Sequence, residues 1–568
     1  MKAGKIIIHN TFMKDNNAGP GFNTSSYTAS GIGILITFIL VFITERMVLK
    51  SSNGVFSYPL DDPFIHMELA KNLAFHGTWG INPGEFGSAS SSLLYTVLLT
   101  VIFKIFSVHV IVPFIINCIA AIILIFVVDA WLKKQSITFW GRMGILILLI
   151  FFLPLPALII SGMEHTLQCL FTFLFLTSCC DWLDKVRMEG SEKNKLPWRV
   201  IVFAILVTAV RYEGIFLVAI VCLLLLYFRK IKTAFLLGFL SLLPVIIFGI
   251  YSIQQGSYFL PNSVLVKSNE IRFSMGGIIE FFSNTLINKF TIVKEPLPAL
   301  PSVPPPGISL LATQRLLIIL PLVGLLFIKQ IRQKPSYVYL LSILLLCTLV
   351  HLTFAATGWF YRYEAYLIGC SFVLVSAILV KYYKDIFPGK RLYKLALTAI
   401  LLFALVFPMI LRSGAAFSKS KQACLNIHEQ QYQMAQFLKK YYNEDVVAAN
   451  DIGAIAFYTD TKIIDLWGLG SIDVAKSKKG KYWTASFLDS FVRKNNVTLA
   501  IVYDEWFSPE LLNKWTKVAT WEISNNVIAG GDFVSFYSIN KDDSRLLKGN
   551  LSDFQKYLPA TVRVAYIE

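Results

Sequence analysis

The chain has 568 residues, of which 55% belong to the set AVILMFWYC and only 15% are charged. Soluble domains carry about 25% charged residues, so a wholly soluble protein is excluded and a polytopic membrane protein is implied. The net charge of +17 does not mark a nucleic-acid groove: residues 413–568 hold 18 Lys+Arg and 17 Asp+Glu, whereas the first 412 hold 34 and 18, mostly in short loops between apolar runs.

Residues 1–30 form a polar leader, expected in the cytoplasm. The apolar run 31–49 shows no cleavage site and is expected to stay as the first span. Segments 133–142, 181–199, 229–232, 329–336 and 381–394 together hold 19 Lys+Arg against five acids, and the positive-inside rule places them in the cytoplasm. Spans must then cross an even number of times between successive basic loops. Runs 143–161 and 163–180 form a hairpin with its apex at 161–164, outside. Residues 200–228 are too long for one span and short for two, and are read as two short helices with Arg211-Tyr212-Glu213-Gly214 at the outer face. The other spans are 110–132, 233–252, 308–328, 337–356, 365–380 and 395–411. Residues 92–108 are apolar but interrupted by Lys104, and a crossing there would invert every later loop. They are therefore read as an interfacial or re-entrant helix of a large outer loop, 50–109. The count is about 11 spans, and the Pro-rich stretch 296–306 is an outer connector.

Residues 31–411 thus form a transmembrane module, and 412–568 a separate extracytoplasmic α/β domain. Strands are expected at 446–449, 462–466 and 498–503, and helices at 452–458 and 487–494, in a largely parallel sheet. Seven of the eight cysteines lie in or beside apolar runs, and no spacing marks a disulfide framework or a zinc site. The expected location is the inner (plasma) membrane, multi-pass, with a cytoplasmic N-terminus.

Chemistry-bearing residues collect on the outer face. Asp61 and Asp62 are adjacent in the first outer loop, and Glu68, Glu85, Glu164, Glu213, Arg211, Lys267 and Arg362 fall on the same side. A solvated turn with Asp62 as helix cap is the plain alternative for the pair, and snorkelling near span ends is the plain alternative for the cations. No phosphate-cradling glycine loop is present. A transferase at this face needs an activated donor carried in the membrane, such as a polyprenyl phosphate-linked sugar. Its phosphate is already a good leaving group, so one carboxylate suffices as base for the acceptor hydroxyl, where a glycosidase needs two. Trp467, Tyr482, Trp483 and Trp506 in the polar tail are either sugar platforms or ordinary core aromatics.

These segments resemble the GT-C superfamily of membrane glycosyltransferases, and most of all its mycobacterial terminal arabinofuranosyltransferase branch. The matching pieces run from DDPFIHMELAKNLAFHGTWGINPGE (61–85) through SGMEH (161–165), RYEG (211–214), PNSVLVKS (261–268) and YRYEAYL (361–367) to DIGAIAFYTDTKIIDLWGL (451–469). The chain departs from the pattern at 87–93, where the family has Thr-Asn-Pro-Leu, and at Tyr212, where it has proline. Arabinose is therefore not carried over as the transferred sugar.

The resemblance implies a GT-C-like helical module with an external domain. It implies Asp61 or Asp62 as catalytic base, with the family pattern leaning to Asp61. Glu164 is implied for acceptor binding or support of the base, and Arg211, Lys267 and Arg362 for the donor phosphate. The partners are the lipid-linked donor, a glycan, glycolipid or protein acceptor, and the bilayer, with no nucleic acid. No cofactor is expected; Asp61, Asp62 and Glu164 are the groups that would hold a divalent cation with phosphate oxygens. The rival reading is a transporter or flippase, for which Arg211 and Glu213 inside an apolar run are the best evidence.

Overall fold

A computed structural model describes residues 27–188, 195–265, 314–331, 334–382 and 392–567. The connector 296–306 lies outside these residues. The chain is a polytopic α-helical membrane protein with a C-terminal α/β domain. Thr28–Ser51, Val112–Lys134, His165–Leu183, Ile231–Gln254 and Pro335–Phe354 are long and apolar enough to cross a bilayer. Phe139–Phe152, Trp198–Val210, Gly214–Tyr227, Leu317–Leu326 and Ala365–Lys381 are shorter apolar helices. Trp140, Trp198 and Tyr227 stand exposed beside the basic loops, where amphipathic rings prefer the membrane boundary.

The run 200–228 forms two helices, Trp198–Val210 and Gly214–Tyr227. Their turn requires Gly214, since an added Cβ would lie 2.3 Å from the Val207 carbonyl oxygen. Leu93–Phe106 rises only about 21 Å, short of a bilayer core of about 30 Å. Its Val97, Val101 and Ile105 form an exposed apolar stripe at helical spacing, while Lys104 Nζ turns back 3.0 Å to the Ala74 carbonyl.

The helix Leu392–Ile427 has 36 residues and passes through a π-helical turn, His428–Tyr432, into Gln433–Tyr441. At about 54 Å for its first part alone it outruns the membrane, so the two modules are joined by a rod, and position 412 lies inside it. Arg412 fixes the neighbouring loop: its Nη2 donates to Glu364 Oε1 (2.8 Å) and Tyr361 O (2.7 Å), and its Nη1 to Phe152 O (3.1 Å). Gly358, Trp359, Phe360 and Tyr361 are all left-handed, with φ of 83, 40, 59 and 62°. Such a conformation costs roughly 1–2 kcal/mol per non-glycine residue, and the buried Arg412–Glu364 pair holds it. Arg412→Leu would strand the Glu364 carboxylate and is expected to cost about 3–5 kcal/mol, read as a lowered melting temperature in detergent.

The C-terminal sheet has the order β2-β1-β3-β5-β4-β6. Its strands are β1 (Val446–Ala449), β2 (Lys462–Asp465), β3 (Leu499–Val502), β4 (Thr516–Glu522), β5 (Phe533–Ser538) and β6 (Arg563–Tyr566). The three expected strands are parallel neighbours, each pair of successive strands bridged by helix, but β5, β4 and β6 add on antiparallel. The largely parallel sheet expected from the alternation is thus corrected to a half-parallel one. β4 and β5 are joined without a helix, and a parallel return needs a longer crossover. One of the domain's two apolar clusters reaches into the membrane module: Ile65, Leu69 and Trp79 of the outer loop and Phe248 of the helix Ile231–Gln254 belong to the same cluster as Ile455, Phe437 and Trp521.

Candidate active site

The helix Asp62–His76 begins with proline at its first turn and ends at a left-handed Gly77. Asp62, Ile65 and His66, at i, i+3 and i+4, share one of its faces and line a cavity of about 340 Å³. Arg211, Glu213, Arg362 and Tyr363 close the polar end of this cavity, and Ile215, Phe216, Leu260, Val264 and Phe354 form an apolar wall. The helices flanking Arg211–Glu213 have 13 and 14 residues. Each rises only about 20 Å, short of a bilayer core of about 30 Å.

Arg362 is 1% exposed. Its Nη2 donates to Asp62 Oδ2 and, at 3.2 Å, to the Tyr363 hydroxyl. Among the described residues its Nε and Nη1 have no hydrogen-bond partner. The Tyr363 ring lies 4.9 Å from this guanidinium and 5.5 Å from that of Arg211, so the ring's negative face eases the approach of two like charges. Arg211 itself has all three guanidinium nitrogens engaged. It donates to Glu213 from Nε (3.0 Å) and Nη2 (2.5 Å), and from Nη1 to Glu164 Oε1 (2.8 Å) and Ser91 Oγ (3.1 Å). A cation matched by two carboxylates offers little to a further anion.

Glu164 is fully buried, and its Oε2 lies 3.7 Å from His66 Nε2. His66 Nδ1 faces Ser90 Oγ (3.2 Å) and Thr96 Oγ1 (3.3 Å). Burial holds His66 below its ordinary pKa against the opposing pull of Glu164 and Asp62. His66 is thus part of the cavity wall. Its spacing four residues after Asp62 was the available signal.

Asp61 does not line the cavity. Its Oδ2 and Oδ1 accept hydrogen bonds from Gly453 N (2.6 Å) and Ala454 N (2.7 Å) of the C-terminal domain. Burial, then Asp451, raise its pKa against those two donors. Glu68 and Glu85 lie elsewhere, paired with Lys71 (2.7 Å) and Lys462 (2.5 Å). Lys267 lies outside the described residues. Asp61, Asp62 and Glu164 each have a different principal partner, and no three His, Cys, Asp or Glu side chains converge among the described residues.

The C-terminal domain supplies Leu469 to the cavity wall. The Asn82 side-chain amide pairs with Ile463 O and N, both at 2.9 Å, and so covers the free edge of β2. Trp467, Trp483 and Trp506 cluster, with Trp467 to Trp506 centroids 4.5 Å apart, and Lys478 Nζ sits 3.1 Å from the Trp467 centroid. Tyr482 lies apart, against Phe487. Burial pulls the Lys478 ammonium down to about 8, partly offset by Asp465. The unfolded chain then holds this proton more tightly between about pH 8 and the ordinary lysine value, so this group makes the domain more stable as pH rises through that window. Acylation of Lys478, followed by peptide mass spectrometry, is expected to show a midpoint near pH 8, and a midpoint near 10.5 would contradict the assignment.

Residues 425–537 match the family described as DUF8728, a domain of unknown function. No curated protein matches the chain. Among solved structures, ArnT from Cupriavidus metallidurans bound to undecaprenyl phosphate aligns at a TM-score of 0.48 and 10% identity, over 91% of this chain and 98% of that one.

Proposed function

We propose that the protein is a GT-C-type glycosyltransferase that moves one sugar from a polyprenyl-phosphate donor to a hydroxyl of a glycan, glycolipid or protein acceptor. The charge asymmetry of the loops supports the outer face of the inner membrane as the place of reaction. One observation carries the reading: Arg362, buried at the polar end of the cavity, holds Asp62 with one nitrogen and has two nitrogens without hydrogen-bond partners among the described residues. A guanidinium with free donors beside a carboxylate suits a phosphate that must be gripped next to a base. The apolar wall of Ile215, Phe216, Leu260 and Val264 suits the first isoprene units, each buried methylene contributing about 0.8 kcal/mol.

In the reaction, the acceptor hydroxyl gives its proton to the Asp62 carboxylate while its oxygen attacks the anomeric carbon. The bond from that carbon to the phosphate oxygen breaks, and polyprenyl phosphate leaves with the electron pair, its charge held by Arg362. Arg211, matched by Glu164 and Glu213, orders the wall instead of gripping phosphate. That pairing also accounts for the charges inside the apolar run without a transport pathway.

The test is transfer of radiolabelled sugar from synthetic polyprenyl-phosphate donors to an acceptor by detergent-purified protein. Turnover without a sealed bilayer is expected. A transporter or flippase would give none under those conditions and would move the labelled lipid only in vesicles.

A further inference from the structure

The two neighbouring aspartates face different ways. Asp61 occupies the N-cap position of the helix Asp62–His76, yet its side chain makes no capping bond to that helix. An N-cap aspartate ordinarily satisfies its own helix's orphan N–H groups. Here both carboxylate oxygens are given to Gly453 and Ala454, 392 and 393 residues away, at 2.6 and 2.7 Å. The fit leaves no slack: a Cβ on Gly453 would lie 2.2 Å from the Asp61 carbonyl oxygen. One turn on, Phe64 packs on Phe457 and Tyr458 with centroids 5.9 and 5.5 Å apart.

Resting on the glycosyltransferase reading, we propose that Asp61 is a positioning residue: it clamps the start of the catalytic helix to the C-terminal domain and thereby fixes Asp62 against Arg362. The domain is then a working part of the active site and not an appended module. Asp62 is the next residue in the chain, so any shift of Asp61 is passed directly to it. A carboxylate displaced by about 1 Å from its reacting partner loses up to roughly 10²-fold in rate.

The experiment is a double-mutant cycle of Asp61→Asn and Gly453→Ala, with Asp62→Asn as reference. It is read by steady-state transfer and by hydrogen exchange of the 453–458 segment in the full-length protein in detergent. Asparagine keeps the size of Asp61 but can accept only one of the two N–H groups, and the alanine methyl pushes the partners apart. Each single variant is expected to lower kcat by roughly 10- to 100-fold with donor KM unchanged, because Arg362 and the apolar wall are untouched. The double variant is expected to be no worse than the poorer single one. Exchange across 453–458 should rise in both single variants and stay at the wild-type level in Asp62→Asn. Two results would overturn the proposal: unchanged exchange in Asp61→Asn, or a loss there as deep as in Asp62→Asn while Gly453→Ala works normally. If the wild type transfers no sugar from any donor, the glycosyltransferase reading falls, while the exchange arm still judges the clamp.

Discussion

Asp62→Asn is expected to lower transfer by about 10²–10⁴-fold, the usual contribution of a positioned general base. Asparagine is nearly isosteric, and its carbonyl oxygen can still accept from Arg362 Nη2, the bond that now reaches Asp62 Oδ2. Removing the charge leaves Arg362 buried without this counter-ion, so the melting temperature should fall, while donor affinity persists and the loss of rate falls on kcat. Purified variants that stay folded at the assay temperature and bind donor equally make that comparison clean. Full activity in Asp62→Asn would remove this residue as the base, and if Asp61→Asn were then inactive the roles of the two aspartates would be exchanged.

Arg362→Gln is expected to have the second large effect, and to act on the donor. It removes the Nε and Nη1 donors, which have no partner among the described residues, together with the cation itself. Charge-assisted hydrogen bonds contribute about 1.5–3 kcal/mol each, so loss of two should weaken donor binding by about 10²-fold or more. Arg362→Lys should recover little, because a point charge cannot reproduce the guanidinium fork. Arg211→Lys is expected to leave donor affinity nearly intact and to lower stability instead, since it breaks the bonds to Glu164, Glu213 and Ser91. A donor KM that responds to Arg211 and not to Arg362 would reverse the assignment.

Much of this arrangement was legible in the sequence, where local chemistry decides. The Arg211-Tyr212-Glu213-Gly214 interruption gives a turn between two short helices because four polar or flexible residues cannot continue a lipid-facing run. β1, β2 and β3 stand out as short β-branched runs separated by helix-forming stretches. Other features depend on distant partners. Which aspartate faces the cavity is set by Gly453 and Ala454, and nothing in Asp61-Asp62 itself distinguishes them. Arg362 directly follows a left-handed loop at 358–361 held by Arg412, and no local propensity favours that backbone. The rod through residue 412 is not legible locally, because polarity rises there while helix propensity does not fall. His66 was legible only as the fourth residue after Asp62, a spacing that gains meaning once Glu164 is seen beside it.

The central claim is that a lipid phosphate sits on Arg362 beside Asp62, and direct binding tests it most simply. Native mass spectrometry of the purified protein with a short-chain polyprenyl phosphate is the measurement. Saturable one-to-one binding by the wild type, retained in Asp62→Asn and lost in Arg362→Gln, is the predicted result. Equal binding by the wild type and Arg362→Gln, or no binding by either, would contradict it.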